Sequence, residues 1–90
     1  MTELEQITHY ASLLFSYDEV AILLHKSDKF IFILSEKGTE EYNAYMLGML
    51  NTEEKIRAEI INSAELGSPA AQKDFLELVS NVKSKNQRNG

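Results

Sequence analysis

Apolar residues recur at spacings of three and four almost without a break from Leu4 to Val82, and that is the period of an α-helix. A single proline, Pro69, and four glycines are all that punctuate the pattern. The segment Phe30–Leu34 (Phe-Ile-Phe-Ile-Leu) has strand-like composition, but one strand has no partner to pair with, so it reads as helix. The expected fold class is all-α: short N-terminal helices, then a long helix and a C-terminal helix forming an α-hairpin. Ninety residues make one domain, which buries only about 60% of its unfolded surface and has a thin core. No cysteine is present, so no disulfide can compensate, and the absence fits a reducing compartment. His9 and His25 have no thiol to complete a structural zinc site, and no cofactor is expected. Self-association is the remaining source of stability.

Capping signals divide the chain into five helices. Thr2 and Glu5 stand at capping-box spacing before helix 1, residues 3–15, whose apolar face is Leu4, Ile7, Ala11, Leu14 and Phe15. Ser16 and Glu19 repeat the box before helix 2, residues 17–25, which buries Val20, Ala21, Leu23 and Leu24. Ser27 is the expected N-cap of helix 3, residues 28–36, ended by Gly38. Thr39 caps helix 4, with Glu40 and Glu41 placed favourably against its dipole. Helix 4 runs to Leu66 and Gly67 stops it; Ser68 then caps helix 5, with Pro69 at its first position. Helix 5 buries Ala70, Ala71, Phe75, Leu78 and Val79, with Val82 a further candidate, and frays after about Ser84. Residues 1–84 are thus expected as one helical domain, with 39–84 as a hairpin and 85–90 as a frayed tail.

Helix 4 is the unusual element. Unbroken, it has about 27 residues and a length near 40 Å, against a radius of gyration of about 12 Å for a compact domain of this size. Its first half is apolar on two sides, through Tyr42, Tyr45 and Met49 and through Met46 and Leu50. So wide an apolar surface needs other copies or partners, or a break near Asn51–Thr52, where Asn51 and Glu54 form a second cap. Continuity is the favoured reading. Tyr and Met are frequent at adaptable interfaces, so Tyr42, Tyr45, Met46 and Met49 are candidate oligomer or partner contacts, with burial in the monomer core as the alternative.

Residues 17–36 have the outline of a helix-turn-helix. Ala21 is the small residue where the helices cross, Val20, Leu24, Ile31 and Leu34 are the shared core, and His25 holds the turn. In that motif the second helix enters the major groove. Its outward positions would be Ser27, Asp28, Lys29, Phe32 and Ile33, of which Ser27 and Lys29 suit base or phosphate contact. Phe32 and Ile33 suit protein contact. Lys26, Ser27, Lys29 and Lys37 are the candidate DNA contacts; two ordinary packed helices are the alternative. The formal charge is −5. The last ten residues carry Lys83, Lys85 and Arg88 and no acid, leaving −8 on the first eighty. An acidic body is a poor general nucleic-acid binder, and the basic end reads as a solvated terminus, with DNA contact by the tail as the lesser alternative.

Catalysis is not indicated. His9 has no nucleophile or paired acid nearby in the pattern. Glu40/Glu41 and Glu53/Glu54 are adjacent in a helix and point apart. No phosphate-binding loop or dinucleotide fingerprint is present, so neither enzymatic activity nor a small-molecule substrate is expected. No signal peptide or membrane span is legible, which predicts an intracellular, non-membrane protein.

Tyr17-Asp-Glu-Val-Ala-Ile-Leu-Leu24, Ala44-Tyr45-x-x-Gly48, Glu54-x-x-Arg57-x-x-Ile60 and Ala64-x-x-Gly67-x-Pro69-Ala70 resemble the small terminase subunits of tailed bacteriophages and prophages, over residues 17–79. The resemblance implies a non-catalytic homo-oligomer in the cytoplasm of a bacterial host. Its helix-turn-helix would bind double-stranded viral DNA for packaging, and a large terminase subunit would supply the ATPase and nuclease. His25 stands where that family usually has glycine, and Lys26 where an apolar residue is expected.

Overall fold

The computed structural model describes residues 1–89 and is all-helical over them: α1 Glu3–Ser12, α2 Tyr17–Leu23, α3 Lys29–Ser35, α4 Glu40–Glu65 and α5 Pro69–Asn89. The strand-like Phe30–Leu34 segment lies within α3. Its contacts group the chain into two compact units, Met1–Glu54 and a second beginning at Lys55.

The N-terminal caps form as their chemistry requires. Thr2 and Glu5 exchange backbone-to-side-chain bonds of 3.1 Å each, and Ser16 and Glu19 do the same at 2.9 and 3.2 Å. The Thr2 bonds hold the Glu5 carboxyl below its ordinary range. The Thr39 hydroxyl accepts from the Tyr42 N–H at 2.9 Å and donates to the Ile33 carbonyl at 2.8 Å, tying the end of α3 to the start of α4. Ser68 accepts from the Ala71 N–H at 3.3 Å. Ser27 does not cap α3. The helix opens from Asp28, itself helical and without a side-chain cap bond, through tight three-residue bonds from the Phe30 and Ile31 N–H groups to the Ser27 and Asp28 carbonyls.

Three helices end in the same left-handed turn. After α1 the Leu14 N–H bonds Ala11 and the Phe15 N–H bonds Tyr10, with Leu14 at φ +69°. After α2 the His25 and Lys26 N–H groups bond Ile22 and Ala21, with His25 at φ +57°. After α4 the Gly67 and Ser68 N–H groups bond Ala64 and Ser63, with Gly67 at φ +96°. These are Schellman closures, and glycine fills the strained position in only one. α1 therefore stops at Ser12 rather than near residue 15. Phe15 folds back so that its ring meets Tyr10 edge-on, 6.1 Å between centroids, the apolar clasp that accompanies this turn.

The core of the first unit is Ile7, Ala11, Val20, Ala21, Phe30, Leu34, Ala44 and Tyr45. α1 and α4 cross where Ala44 and Gly48 face Ala11. A methyl group on Gly48 would overlap the Thr8 carbonyl and sit 2.8 Å from the Ala11 Cβ and 3.0 Å from the Ser12 N. At this separation α4 reaches the polar groups of α1 and its turn. The Thr8 hydroxyl donates to the Ala44 carbonyl at 2.9 Å, Thr52 to the Ser12 carbonyl at 2.5 Å, and Tyr45 to the Phe15 carbonyl at 2.6 Å. Thr52 lies at the expected break, yet α4 continues through it for 26 residues, about 39 Å.

In the second unit the Gly67 turn joins the end of α4 to α5, and Gln72 Nε2 donates to the Ala64 carbonyl at 3.2 Å. Ala71 is the one buried residue of this unit among the described residues. α5 continues past Ser84 to Asn89, with no glycine or proline to interrupt it before Gly90. Gly90, the end of the expected tail, lies outside the described residues.

Candidate nucleic-acid interface

α2 and α3 pack as a pair through Val20, Ala21, Phe30 and Leu34, with Leu24 and Ile31 partly buried against them. Ala21 is the small residue at the contact, and its carbonyl also accepts the turn-closing bond from Lys26. His25 supplies the left-handed residue, a conformation it adopts more readily than most side chains. α2 and α3 are thus two short helices joined by a turn and packed on a shared core.

Of the candidate DNA contacts, Ser27, Lys29 and Lys37 are exposed on or beside α3. Lys26 is exposed but engaged: its Nζ lies 3.0 Å from a Glu3 carboxylate oxygen and 5.6 Å from the centre of the Phe30 ring. Both partners of the ion pair remain well solvated, so the pair is weak and phosphate can compete for the lysine. Phe32, at 72% exposure, and Ile33 stand on the outward side of α3.

The aromatic and thioether stripe of α4 divides differently from expectation. Tyr45 is 7% exposed and belongs to the core, its ring 4.5 Å from that of Tyr17, so it is not a surface for a partner. Burial first, then the neighbouring Tyr17 and Glu19, push its phenol above the ordinary value. Met46 and Met49 pack partly buried against the same core, and Tyr42 is half-buried. The apolar groups that α4 leaves in solvent are instead Leu47, Leu50 and Ile56, each more than half exposed, together with Ile61, and Leu66 is exposed just beyond its end. Sequence reasoning chose the tyrosines and methionines by type. The spacing of Leu47 and Leu50, off the Ala44–Gly48 face, was the signal for the outward side.

His9 is exposed beside Tyr10. Among the described residues no group of three His, Asp or Glu side chains is placed to hold a metal ion, and no helix is long and apolar enough to cross a membrane. Comparison of the chain with protein-family models, with curated proteins and with solved structures finds no match.

Proposed function

We propose that this protein is a non-catalytic DNA-binding component of viral genome packaging, of the small terminase type, acting in the bacterial cytoplasm as a homo-oligomer that serves a large terminase subunit. The observation that carries the reading is the α2–turn–α3 pair. It has a small residue at the crossing, a left-handed turn residue at His25, and Ser27 and Lys29 exposed at the start of the second helix, the end that meets base edges in this motif. The unbroken α4 with its exposed leucines and isoleucines supports assembly.

DNA contact on this surface is chiefly with phosphate, since Lys26, Lys29 and Lys37 are its cations. Fluorescence anisotropy with labelled duplex at low salt should show binding that weakens steeply as salt rises. Lys29→Ala combined with Lys37→Ala should lower the salt slope by roughly 1.8, about 0.9 for each phosphate contact removed. Absence of binding to any duplex at about 50 mM salt would overturn the assignment.

Phe32 supports a second reading, a helical protein-interaction module of a phage or mobile element. Its ring is 72% exposed beside Ile33 on the face that would read DNA, and an apolar anchor of that kind suits a protein contact. Phe32→Ser with Ile33→Ser should then abolish partner binding or assembly. If both survive, this reading fails.

A further inference from the structure

The first unit carries an apolar groove that its own core does not use. α1 and the start of α4 form an open channel of about 560 Å³, walled by Met1, Leu4 and Leu47 over Ala44. Leu47 is 54% exposed, and neither it nor Leu4 belongs to the core. That core closes through Ile7, Ala11 and Tyr45 and leaves both leucines outside.

Charge around the groove has one sign. Residues 1–54 hold ten acids and three bases, net −7. The three bases, Lys26, Lys29 and Lys37, fall in one short stretch of the chain and do not line the channel. Glu5 does line it, and the hydrogen bond from the Thr2 N–H keeps that carboxyl ionised. On α4, Glu40 and Glu54 stand seven residues before and after Leu47, hence on its face of the helix, and both are exposed.

Shape and charge together select the occupant. A small ligand needs enclosure over most of its surface, and this channel is open. The described residues hold no strand whose edge could accept another. The lining has no aromatic ring apart from the His9 imidazole, whereas a polyproline segment is gripped between aromatic walls. A channel between two helices, walled by flexible methionine and leucine, fits the apolar face of an amphipathic helix. A second copy of this unit would bring the same acid to the rim, so the helix must carry cations.

We propose that the α1–α4 groove docks a basic amphipathic helix of a partner protein, its apolar face against Leu4 and Leu47 and its lysines or arginines facing Glu5, Glu40 and Glu54. The inference goes beyond the proposed function and uses neither α2–α3 nor assembly of this chain.

The probe is a fluorescein-labelled helical peptide of about 18 residues, with leucine at i, i+3, i+4 and i+7 and lysine on the opposite face. Anisotropy with the full chain at low salt should show saturable binding, and the same peptide with glutamate for lysine should bind roughly tenfold more weakly or worse. Leu47→Ser should weaken binding of the lysine peptide roughly tenfold, as loss of an anchor does. Leu47→Gln replaces it should the serine variant melt early by circular dichroism. Glu5→Gln with Glu40→Gln keeps the capping bond, which glutamine also makes. It should weaken binding at low salt and match wild type at high salt. Lys29→Ala with Lys37→Ala, and Phe32→Ser with Ile33→Ser, should leave peptide binding unchanged. No saturable binding, equal binding of the glutamate peptide, indifference to Leu47→Ser, or loss on changing Phe32 and Ile33 would each overturn the inference. So would a peptide that disperses a multimer of this chain into 10.2 kDa monomers, since the groove would then belong to a second copy. Duplex binding measured on the same variants keeps the readings apart: peptide binding without duplex binding removes the DNA reading alone, and duplex binding without peptide binding removes this one alone.

Discussion

Replacing Gly48 by alanine should destabilise the first unit, although the same change in an ordinary exposed helix stabilises it. Helix propensity alone favours alanine by about 0.8–1.0 kcal/mol. Against this, the added methyl meets the Thr8 carbonyl, the Ala11 Cβ and the Ser12 N. These are backbone atoms and a Cβ, with no flexible side-chain end that can swing away, so α1 and α4 must move apart. Overpacking of this sort costs about 1–3 kcal/mol. Separation also stretches the Thr8–Ala44, Thr52–Ser12 and Tyr45–Phe15 bonds, each worth about 0.5–1.5 kcal/mol when fully made. The net expected loss is about 2 kcal/mol, a fall in Tm of roughly 8–16 °C, in a unit whose whole stability is roughly 3–8 kcal/mol. All four tyrosines, Tyr10, Tyr17, Tyr42 and Tyr45, lie in this unit and there is no tryptophan. Near-ultraviolet circular dichroism in the tyrosine band therefore follows its melting alone, while the far-ultraviolet signal follows both units. An unchanged or raised Tm in the tyrosine band would refute the close crossing of α1 and α4.

Leu14→Gly should raise stability by about 0.5–1 kcal/mol, because the left-handed conformation costs a leucine about 1–2 kcal/mol, glycine returns part of this as entropy, and the 58%-exposed side chain loses little packing; urea denaturation gives the sign, and a loss would contradict the turn. Tyr45→Phe should cost about 1–2 kcal/mol by leaving the Phe15 carbonyl without its donor. The same phenol sets an alkaline limit. Its folded value lies above the ordinary 10.0, so the fold favours the protonated form, and that contribution is complete below pH 10 and lost as pH rises through the raised value. Tyr45→Phe should flatten this alkaline limb in pH-dependent melts, and an unchanged limb would assign it to another group.

Most of the fold and part of the site were legible along the chain. Helix identity, the capping boxes at Thr2 and Ser16, the Thr39 and Ser68 caps, Pro69 as a helix start and the pairing of α2 with α3 all follow from interactions within a few residues, where type and spacing carry the physics. Lys29 and Ser27 were legible as outward groups because the burial of Val20, Ala21 and Leu34 settles which way a short helix faces. Other features depend on distant segments. Leu14 can take the left-handed position that ends α1 because Phe15 then clasps Tyr10 and offers its carbonyl to Tyr45. Lys26 meets Glu3 only because α1 lies beside α2.

The sequence by itself determined that this chain is helical, where four of its five helices begin and how its apolar residues are spaced, because those properties depend on local period, capping chemistry and composition. Tertiary structure alone decided which of those residues stay outside. Tyr45 turned inward because its hydroxyl found the Phe15 carbonyl and its ring found Tyr17, while Leu47 and Leu50 were left in solvent because α1 seats itself on the Ala44–Gly48 face, the one place where the α4 backbone has no side chain to hold it off.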